Sequence, residues 1–287
     1  MTHNKMSIKE IKKIIFEEEF RRFPYLDNFK RNPYTYCKAR YYMYFSVLVV
    51  YVLIRSRITP NMVTIAYGLC GIIGGILLSI PNLYYNIIGV LVFFNKGILD
   101  WSDGHLARIK YEPTLTGHIL DIYGATINSI GLRIGLGFFV INQTSYDFLI
   151  YFVAVIPFLH TELYSSASKK IIIENLNSIL SQNKNMKPNK EKIFEKENLN
   201  TTRIKHPEWL NFFKGIFDDN AKNVDLILLF IVIDIYTIYN FSFYIFLLIS
   251  IKILIRFILS FIYGVRTRWA EMFINNLKID NESKKND

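Results

Sequence analysis

The chain has 287 residues, of which 51% are hydrophobic and 16% aromatic, and it carries a formal net charge of +10. A soluble domain of this length is usually more polar and has shorter apolar runs. Excess basic residues accompany nucleic-acid binding or a membrane surface. We expect no nucleic-acid partner, because no basic stripe interleaved with aromatic residues stands free of the apolar runs.

Residues 1–57 are predicted to form a cytoplasmic N-terminal segment that contains an interfacial helix. Met1 to Arg22 is charged and amphipathic, without the short apolar core and cleavage site of a signal peptide. The apolar run Tyr41 to Ile54 is shorter than the roughly 20 residues of a membrane span. Basic residues flank it and tyrosines lie at its border, which is typical of a helix in the membrane interface.

The rest of the chain predicts an all-α integral membrane protein with six transmembrane helices and one or two interfacial amphipathic helices. The six-helix membrane domain is expected over 58–265, with a polar cytoplasmic insertion at about 167–222 and a cytoplasmic tail at 266–287. The end of the insertion, His206 to Phe217, is predicted to be the second interfacial helix. The predicted spans are 61–80, 83–100, 117–140, 146–165, 224–240 and 242–264.

The orientation follows from the loops between these spans. The short connections Pro81–Asn86, Asn142–Asp147 and Tyr239–Phe241 contain no Lys or Arg, whereas the connections on the other side are rich in both. Basic loops stay in the cytoplasm, so both termini and the 108–116 loop are expected there. The abundance of Ile, Lys and Asn suggests an AT-rich genome, so we expect a bacterial cytoplasmic membrane.

Glycines recur in the first and third predicted spans. Small residues at such spacing favour close packing of membrane helices, and we assign them no chemistry. They are Gly68, Gly71, Gly74 and Gly75 in the first span, and Gly131, Gly135 and Gly137 in the third.

Three aspartates form the candidate site. Asp100 and Asp103 are spaced to share one helix face, and Asp121 begins the next span after a short loop. Gly104 and Ala107 continue the first face with small side chains, which leaves room for a bulky ligand. Converging carboxylates at membrane depth are costly and indicate function. A hard divalent cation would relieve their repulsion and would suit a phosphate-bearing substrate. The alternative is a set of acids at helix ends that face water.

The spacing of these residues resembles the signature of the CDP-alcohol phosphotransferase family, D-x2-D-G-x2-A-R-x8-G-x3-D-x3-D. The segment Ile58 to Thr64, which opens the first span, is also similar to the family, and the resemblance extends over about 55–265. The signature positions that match are Asp100, Asp103, Gly104, Ala107, Arg108, Gly117 and Asp121.

The resemblance implies an enzyme of phospholipid synthesis, a homodimer whose site faces the cytoplasm. It would transfer a phosphoalcohol group from a CDP-alcohol to a hydroxyl acceptor in the membrane and release CMP. The motif does not separate CDP-diacylglycerol with a polar acceptor from a soluble CDP-alcohol with a lipid acceptor, and the composition favours the first. The implied Mg²⁺ or Mn²⁺ ligands are Asp100, Asp103 and Asp121, and the implied contacts of the CDP moiety are Gly104, Ala107, Arg108, Gly117, Asn61 and Thr64.

One signature position departs from the family. The fourth Asp, which in the family is a metal ligand and the proposed general base, is replaced by Ala125, so Asp121 is the last catalytic carboxylate of the motif. Three explanations stay open: an inactivated enzyme, a relative that uses another base such as His118 or His105, or a catalytically inactive nucleotide- or lipid-binding membrane protein. A helix-end His118 that faces water is the simpler alternative. A transporter is disfavoured because the acids cluster at one end of two helices.

Other charged residues inside the predicted spans are candidates for substrate contacts. Lys96 lies one turn before Asp100 and is expected either to touch a diphosphate or to act as a counter-ion. Lys252 and Arg256 share one face of the last span and are candidates for an acceptor's phosphate or a lipid headgroup. The simplest alternative for Lys252 is an ion pair with Asp234, which we expect at a similar depth.

Overall fold

The structure, a computed structural model, describes residues 6–30, 32–110, 113–157, 159 and 221–267, and within these ranges it contains helices and no strand. The all-α class is thereby confirmed. The helices are α1 (Ile8–Arg22), a 3-10 turn (Pro24–Asp27), α2 (Pro33–Leu53), α3 (Pro60–Ser79), α4 (Leu83–Lys110), α5 (Leu115–Thr144), α6 (149–157), α7 (Ala221–Tyr236) and α8 (Phe241–Thr267).

Short polar residues set the starts of four helices. Ser7 forms a capping box with Glu10 at the start of α1, and the side chains of Asn32, Thr59 and Thr114 each accept a backbone N–H from the first turn of α2, α3 and α5. Such caps satisfy backbone donors that have no partner inside the helix. In α3, Pro60 follows the cap, where its fixed φ suits the first helical position.

Glycines bring α3 and α5 into close contact at the centre of the molecule. A β-carbon added to Gly71 would lie 2.5 Å from the Cα of Asn128, and one added to Gly75 would lie 2.6 Å from the carbonyl oxygen of Gly131. Only residues without side chains allow the two backbones to approach so closely. The predicted packing role of these glycines is confirmed.

The close contact of α3 and α5 predicts that alanine at two neighbouring glycines will affect stability differently. Gly71→Ala should lower the free energy of unfolding by about 1–3 kcal/mol, because the new methyl group meets the backbone of α5. Gly68→Ala is the matched control, since its β-carbon would find its nearest atom at an ordinary 3.7 Å. Thermal unfolding of the detergent-purified protein measures both variants. Equal melting temperatures would contradict the packing described here.

The N-terminal helices pack against the end of α4 that carries the aspartates. Ile11 and Ile15 of α1 join Met43 and Val47 of α2 and Leu106 of α4 in one buried cluster. The run predicted over 41–54 is thus the second half of a longer helix, α2, whose buried face contacts protein. Its interfacial placement stays a prediction.

A buried ion pair joins α2 to α7. The ammonium of Lys38 lies 2.8 Å from Oδ2 of Asp225, and the Tyr34 hydroxyl donates a 2.7 Å hydrogen bond to the same oxygen. The Lys38 ammonium also lies 3.5 Å from the centroid of the Phe94 ring in α4. Burial and the adjacent Asp225 raise the pKa of Tyr34, so its hydroxyl stays protonated and able to donate. These contacts fix α7 against the N-terminal half of the chain.

Two described helices, α3 and α5, are long and apolar enough to cross a membrane, and Phe241–Ile255 within α8 is apolar but shorter. The six-span layout therefore stays a prediction. The predicted fourth span, 146–165, is described only to residue 157 and at 159. Most of the predicted insertion at about 167–222, with its interfacial helix His206 to Phe217, lies outside the described residues, and so does the predicted tail from residue 268 on. Residues 221 and 222 begin α7, and residues 266 and 267 end α8.

The expected pair of Asp234 and Lys252 is wrong. The Asp234 carboxylate accepts the backbone N–H groups of Phe241 and Ser242, at 3.0 and 2.6 Å, and so caps the start of α8. Lys252 lies about 16 Å further along α8, given a rise of 1.5 Å per residue. The two residues therefore lie at different depths.

Candidate functional site

The three motif aspartates meet where α3, α4 and α5 converge. The carboxyl groups of Asp100 in α4 and Asp121 in α5 lie within interaction distance of each other across the two helices. Asp103, one turn beyond Asp100, accepts a 2.6 Å hydrogen bond from the Thr64 hydroxyl of α3. The helix face that Asp100 and Asp103 were predicted to share is therefore turned toward both neighbouring helices.

Two tyrosines packed on glycines set the spacing of the helices beside the aspartates. The Tyr42 ring of α2 lies against Gly97, one turn before Asp100. The Tyr67 ring of α3 lies against Gly124, where an added β-carbon would be 2.9 Å from the ring. Both phenol rings are almost fully buried. A larger residue at either glycine would push the helices apart at the level of the acids.

The predicted nucleotide-binding residues lie beside the acids. An added β-carbon on Gly117 would be 3.1 Å from Oδ1 of Asn61, so the first turns of α3 and α5 are adjacent. On α4, Gly104 and Ala107 are both half-buried. The structure therefore brings the small residues and the polar residues of the predicted set to one end of three helices.

Arg108 is held by two acidic residues that sequence reasoning missed. Its Nη2 donates a 2.7 Å hydrogen bond to Oε1 of Glu19, and its Nε lies 2.9 Å from Oε1 of Glu18, an ion pair without an aligned hydrogen bond. The signal available in the sequence was the acidic run Glu17 to Glu19 on the amphipathic α1, but spacing alone did not name its partner.

His105 does not point toward the aspartates, so its proposed role as a substitute base is wrong. Its Nδ1 lies 3.0 Å from the Ser46 hydroxyl and its Nε2 lies 3.3 Å from Glu19. Burial lowers the pKa of His105, partly offset by Glu19. Burial alone would raise the pKa of Glu19, but the bond to His105 and the charges of Arg108 and Arg22 lower it below its usual value. His105 is therefore a neutral bridge between α4, α1 and α2.

The remaining candidates are less closely tied to the acids. Lys96 is half-buried, and its ammonium interacts electrostatically with Asp100. His118 is exposed in the first turn of α5, which favours a helix-end residue that faces water, and Ala125 is half-buried one turn after Asp121. Lys252 is half-buried within α8. Arg256 lies in the same helix, and its side chain is outside the described part.

The carboxylates of the three aspartates are suitable ligands for a divalent cation, but their side chains are not positioned to bind one together. Among the described residues, no three His, Cys, Asp or Glu side chains are arranged to hold a metal ion. Instead, the Asp103 carboxylate accepts a hydrogen bond from the Thr64 hydroxyl, and the carboxyl groups of Asp100 and Asp121 face each other. Carboxylate oxygens from adjacent helices are nevertheless the donors that Mg²⁺ and Mn²⁺ prefer.

Comparison with known proteins agrees with this geometry. Residues 57–189 match the family model described as CDP-alcohol phosphatidyltransferase. Residues 57–189 thus match a family of membrane transferases of phosphate-containing groups, and the resemblance predicted from the motif is confirmed.

A curated relative gives a further comparison. The chain is 30% identical over 93 residues to the ceramide phosphoethanolamine synthase of Drosophila melanogaster. The match covers 30% of this chain and 24% of that protein, so the chain spans about a quarter of the length of the relative it matches. The substrates and partners of the whole relative do not transfer to the chain on this match alone.

Proposed function

We propose that the protein transfers a phosphoalcohol group from a CDP-alcohol to a hydroxyl acceptor and releases CMP, as a step of phospholipid synthesis. The observation that carries the proposal is the close approach of the carboxyl groups of Asp100 and Asp121 across two helices, with Asp103 one turn away. Acids held together at the end of two helices are costly unless a cation and a phosphate group use them. The family match supports the same chemistry.

Each residue of the site has a proposed role. Asp100, Asp103 and Asp121 would hold Mg²⁺ or Mn²⁺, which when bound neutralises phosphate oxygens of the donor. Thr64 orients Asp103 through its 2.6 Å hydrogen bond. The donor's nucleotide would lie over the small residues of α4 and against the first turns of α3 and α5, in contact with Gly104, Ala107, Arg108, Gly117, Asn61 and Thr64.

The acceptor side of the site is proposed from charge. Lys96 interacts with Asp100 from one turn away and would face a phosphate group that approaches the acids. Lys252 and Arg256 are proposed to meet an acceptor's phosphate or a lipid headgroup. A homodimer with its site toward the cytoplasm belongs to the same proposal.

Two donor arrangements fit the site, and each has its own support. The composition favours CDP-diacylglycerol with a polar acceptor. The name of the Drosophila relative, ceramide phosphoethanolamine synthase, favours a phosphoethanolamine group delivered to a lipid alcohol. In both arrangements the cleaved bond lies within the diphosphate that the carboxylate-bound cation would contact. CMP is therefore the product that both share.

A CMP-release assay tests the proposal and separates the two donors. Purified protein in lipid nanodiscs with Mg²⁺ receives CDP-diacylglycerol with glycerol phosphate, serine or inositol, or CDP-ethanolamine with diacylglycerol or ceramide. We expect acceptor-dependent CMP with one donor, and loss of it with EDTA or in Asp100→Asn. An absence of CMP with every pair would contradict the proposal.

A second candidate function rests on Ala125, which leaves the site without the family's base. It is a catalytically inactive protein that binds a CDP-linked ligand. Metal-dependent CDP binding without CMP release from any donor would support this candidate over the transferase.

A further inference from the structure

The N-terminal helix α1 contacts the signature motif through charge. The Nη2 of Arg108, a motif residue of α4, donates a 2.7 Å hydrogen bond to Glu19, and its Nε lies 2.9 Å from Glu18 in an ion pair. His105, three residues earlier on α4, meets the same Glu19 oxygen at 3.3 Å. Two adjacent carboxylates of α1 therefore engage one guanidinium beside the candidate nucleotide site.

These contacts differ from the ion pairs of an exposed helix surface. The Glu19 side chain is only 6% exposed, and those of Glu18 and Arg108 are 22% and 27% exposed. On the same helix, Glu17 pairs with Lys13 at 3.9 Å with both side chains more than two-thirds exposed. Exposed pairs are worth little, whereas charge-assisted bonds to partly buried groups fix a side chain in place. Arg108 is thus held in one position.

That position is directly over the small-residue face of α4. An added β-carbon on Gly104 would lie 3.2 Å from Nη1 of Arg108. Without the carboxylates of α1, a flexible arginine would leave this face or turn toward the acids at Asp103. The contacts of α1 therefore fix the position of the Arg108 charge beside the proposed binding site of the donor.

We infer that Glu18 and Glu19 are positioning residues, which hold the Arg108 guanidinium over Gly104 and make α1 a part of the donor site. The inference rests on the proposed function for its effect on the reaction. Apolar packing through Ile11 and Ile15 attaches α1 to α2 and α4 independently. Removing the charges therefore changes the hold on Arg108 without removing the helix.

Hydrogen exchange tests the contact itself, whether or not the protein is active. In Arg108→Gln, amide protection over α1 should fall, and Glu18→Gln and Glu19→Gln should produce a similar loss. Glu17→Gln should leave it unchanged, because its exposed pair with Lys13 does not touch α4. Unchanged protection in Arg108→Gln would overturn the inference. Glu18→Gln is the safer variant for folding, since Glu18 is less buried than Glu19.

Kinetics test the positioning role. Glu18→Gln should raise the KM for the CDP donor roughly tenfold with a smaller change in kcat, the size expected when one partly buried ion pair is lost. Arg108→Gln removes the charge that Glu18 is proposed to hold. In that background, adding Glu18→Gln should have no further effect, since the glutamate acts through Arg108. An unchanged KM, or the same increase with Arg108→Gln present, would overturn the inference.

The two proposals fail in different ways. A wild-type protein that releases no CMP contradicts the proposed function, and the exchange experiment then decides whether α1 holds Arg108. A wild-type protein that releases CMP with kinetics indifferent to Glu18 and Glu19 keeps the proposed function and overturns the positioning role.

Discussion

Asp103→Ala is expected to abolish metal-dependent binding of CDP. Asp103 is buried between α3 and α4, and it supplies one of three carboxylates proposed to share a cation. Even partners that only orient metal ligands cost about 10–100-fold in affinity when removed, so loss of a ligand should cost at least about 100-fold. Calorimetric titration of the purified protein with CDP, with and without Mg²⁺, measures the effect.

Two variants separate this role from general effects of the substitution. Asp103→Asn keeps the shape of the side chain and an oxygen for the Thr64 hydroxyl. If this variant also fails to bind CDP, the cause is the missing negative charge. Asp147→Ala removes an exposed acid from beyond the other end of α5 and should bind as the wild type does. Persistent Mg²⁺-dependent binding in Asp103→Ala would refute the ligand assignment.

Ala125→Asp is expected to raise CMP release by at least roughly tenfold, if the chain is an enzyme that lacks its base. A general base contributes about 10²–10⁴-fold, and position 125 lies one turn after Asp121 on the same helix. Ala125 is only half-buried, so a carboxylate can be added there without filling a closed core. Initial rates of CMP release with the preferred donor measure the change.

Ala125→Asn is the matched control for Ala125→Asp, because asparagine has the same size as aspartate and cannot act as a base of comparable strength. An equal increase in both variants would point to a steric cause. An unchanged rate in Ala125→Asp would count against the missing-base account and would leave another base or an inactive protein. Among the histidines that the structure describes, the exposed His118 is then the remaining candidate near Asp121, because His105 is bound to Ser46 and Glu19.

Local spacing was sufficient to predict much of the site. Asp100 and Asp103 share a face because α4 continues without a break to Lys110, well beyond the predicted end of its span at 100. The glycine spacing of α3 and α5 predicted close packing of each helix, because helical periodicity fixes which residues share a face, but it did not name the partner helix. The predicted first span begins at residue 61, within one residue of the start of α3 at Pro60, which follows the Thr59 cap.

Partners distant in the sequence were not predictable in this way. Glu19 and Arg108 are far apart in the chain, and nothing in the spacing of either helix states that α1 lies beside the motif. The Lys38–Asp225 pair poses the same difficulty across an even longer separation. Such pairs depend on how helices pack, and packing is set by the sum of many apolar contacts.

The two wrong expectations share one cause. His105 and Asp234 were placed by their distance along the chain from other candidate residues. In the structure, His105 lies on a different face of α4 from the acids, and Asp234 bonds to backbone N–H groups at the start of α8. Proximity in sequence does not determine direction around a helix, and backbone donors compete with side chains for a carboxylate.

The central claim is that acids from α4 and α5 together bind one cation, which in turn binds a diphosphate. The most direct test measures the binding of Mn²⁺ to the purified protein with and without CDP. Electron paramagnetic resonance should show tight, CDP-dependent binding of Mn²⁺ to the wild type, lost in Asp100→Asn and equally in Asp121→Asn. Mn²⁺ binding that survives either substitution unchanged would contradict the claim, since the two carboxyl groups come from different helices and neither alone would suffice.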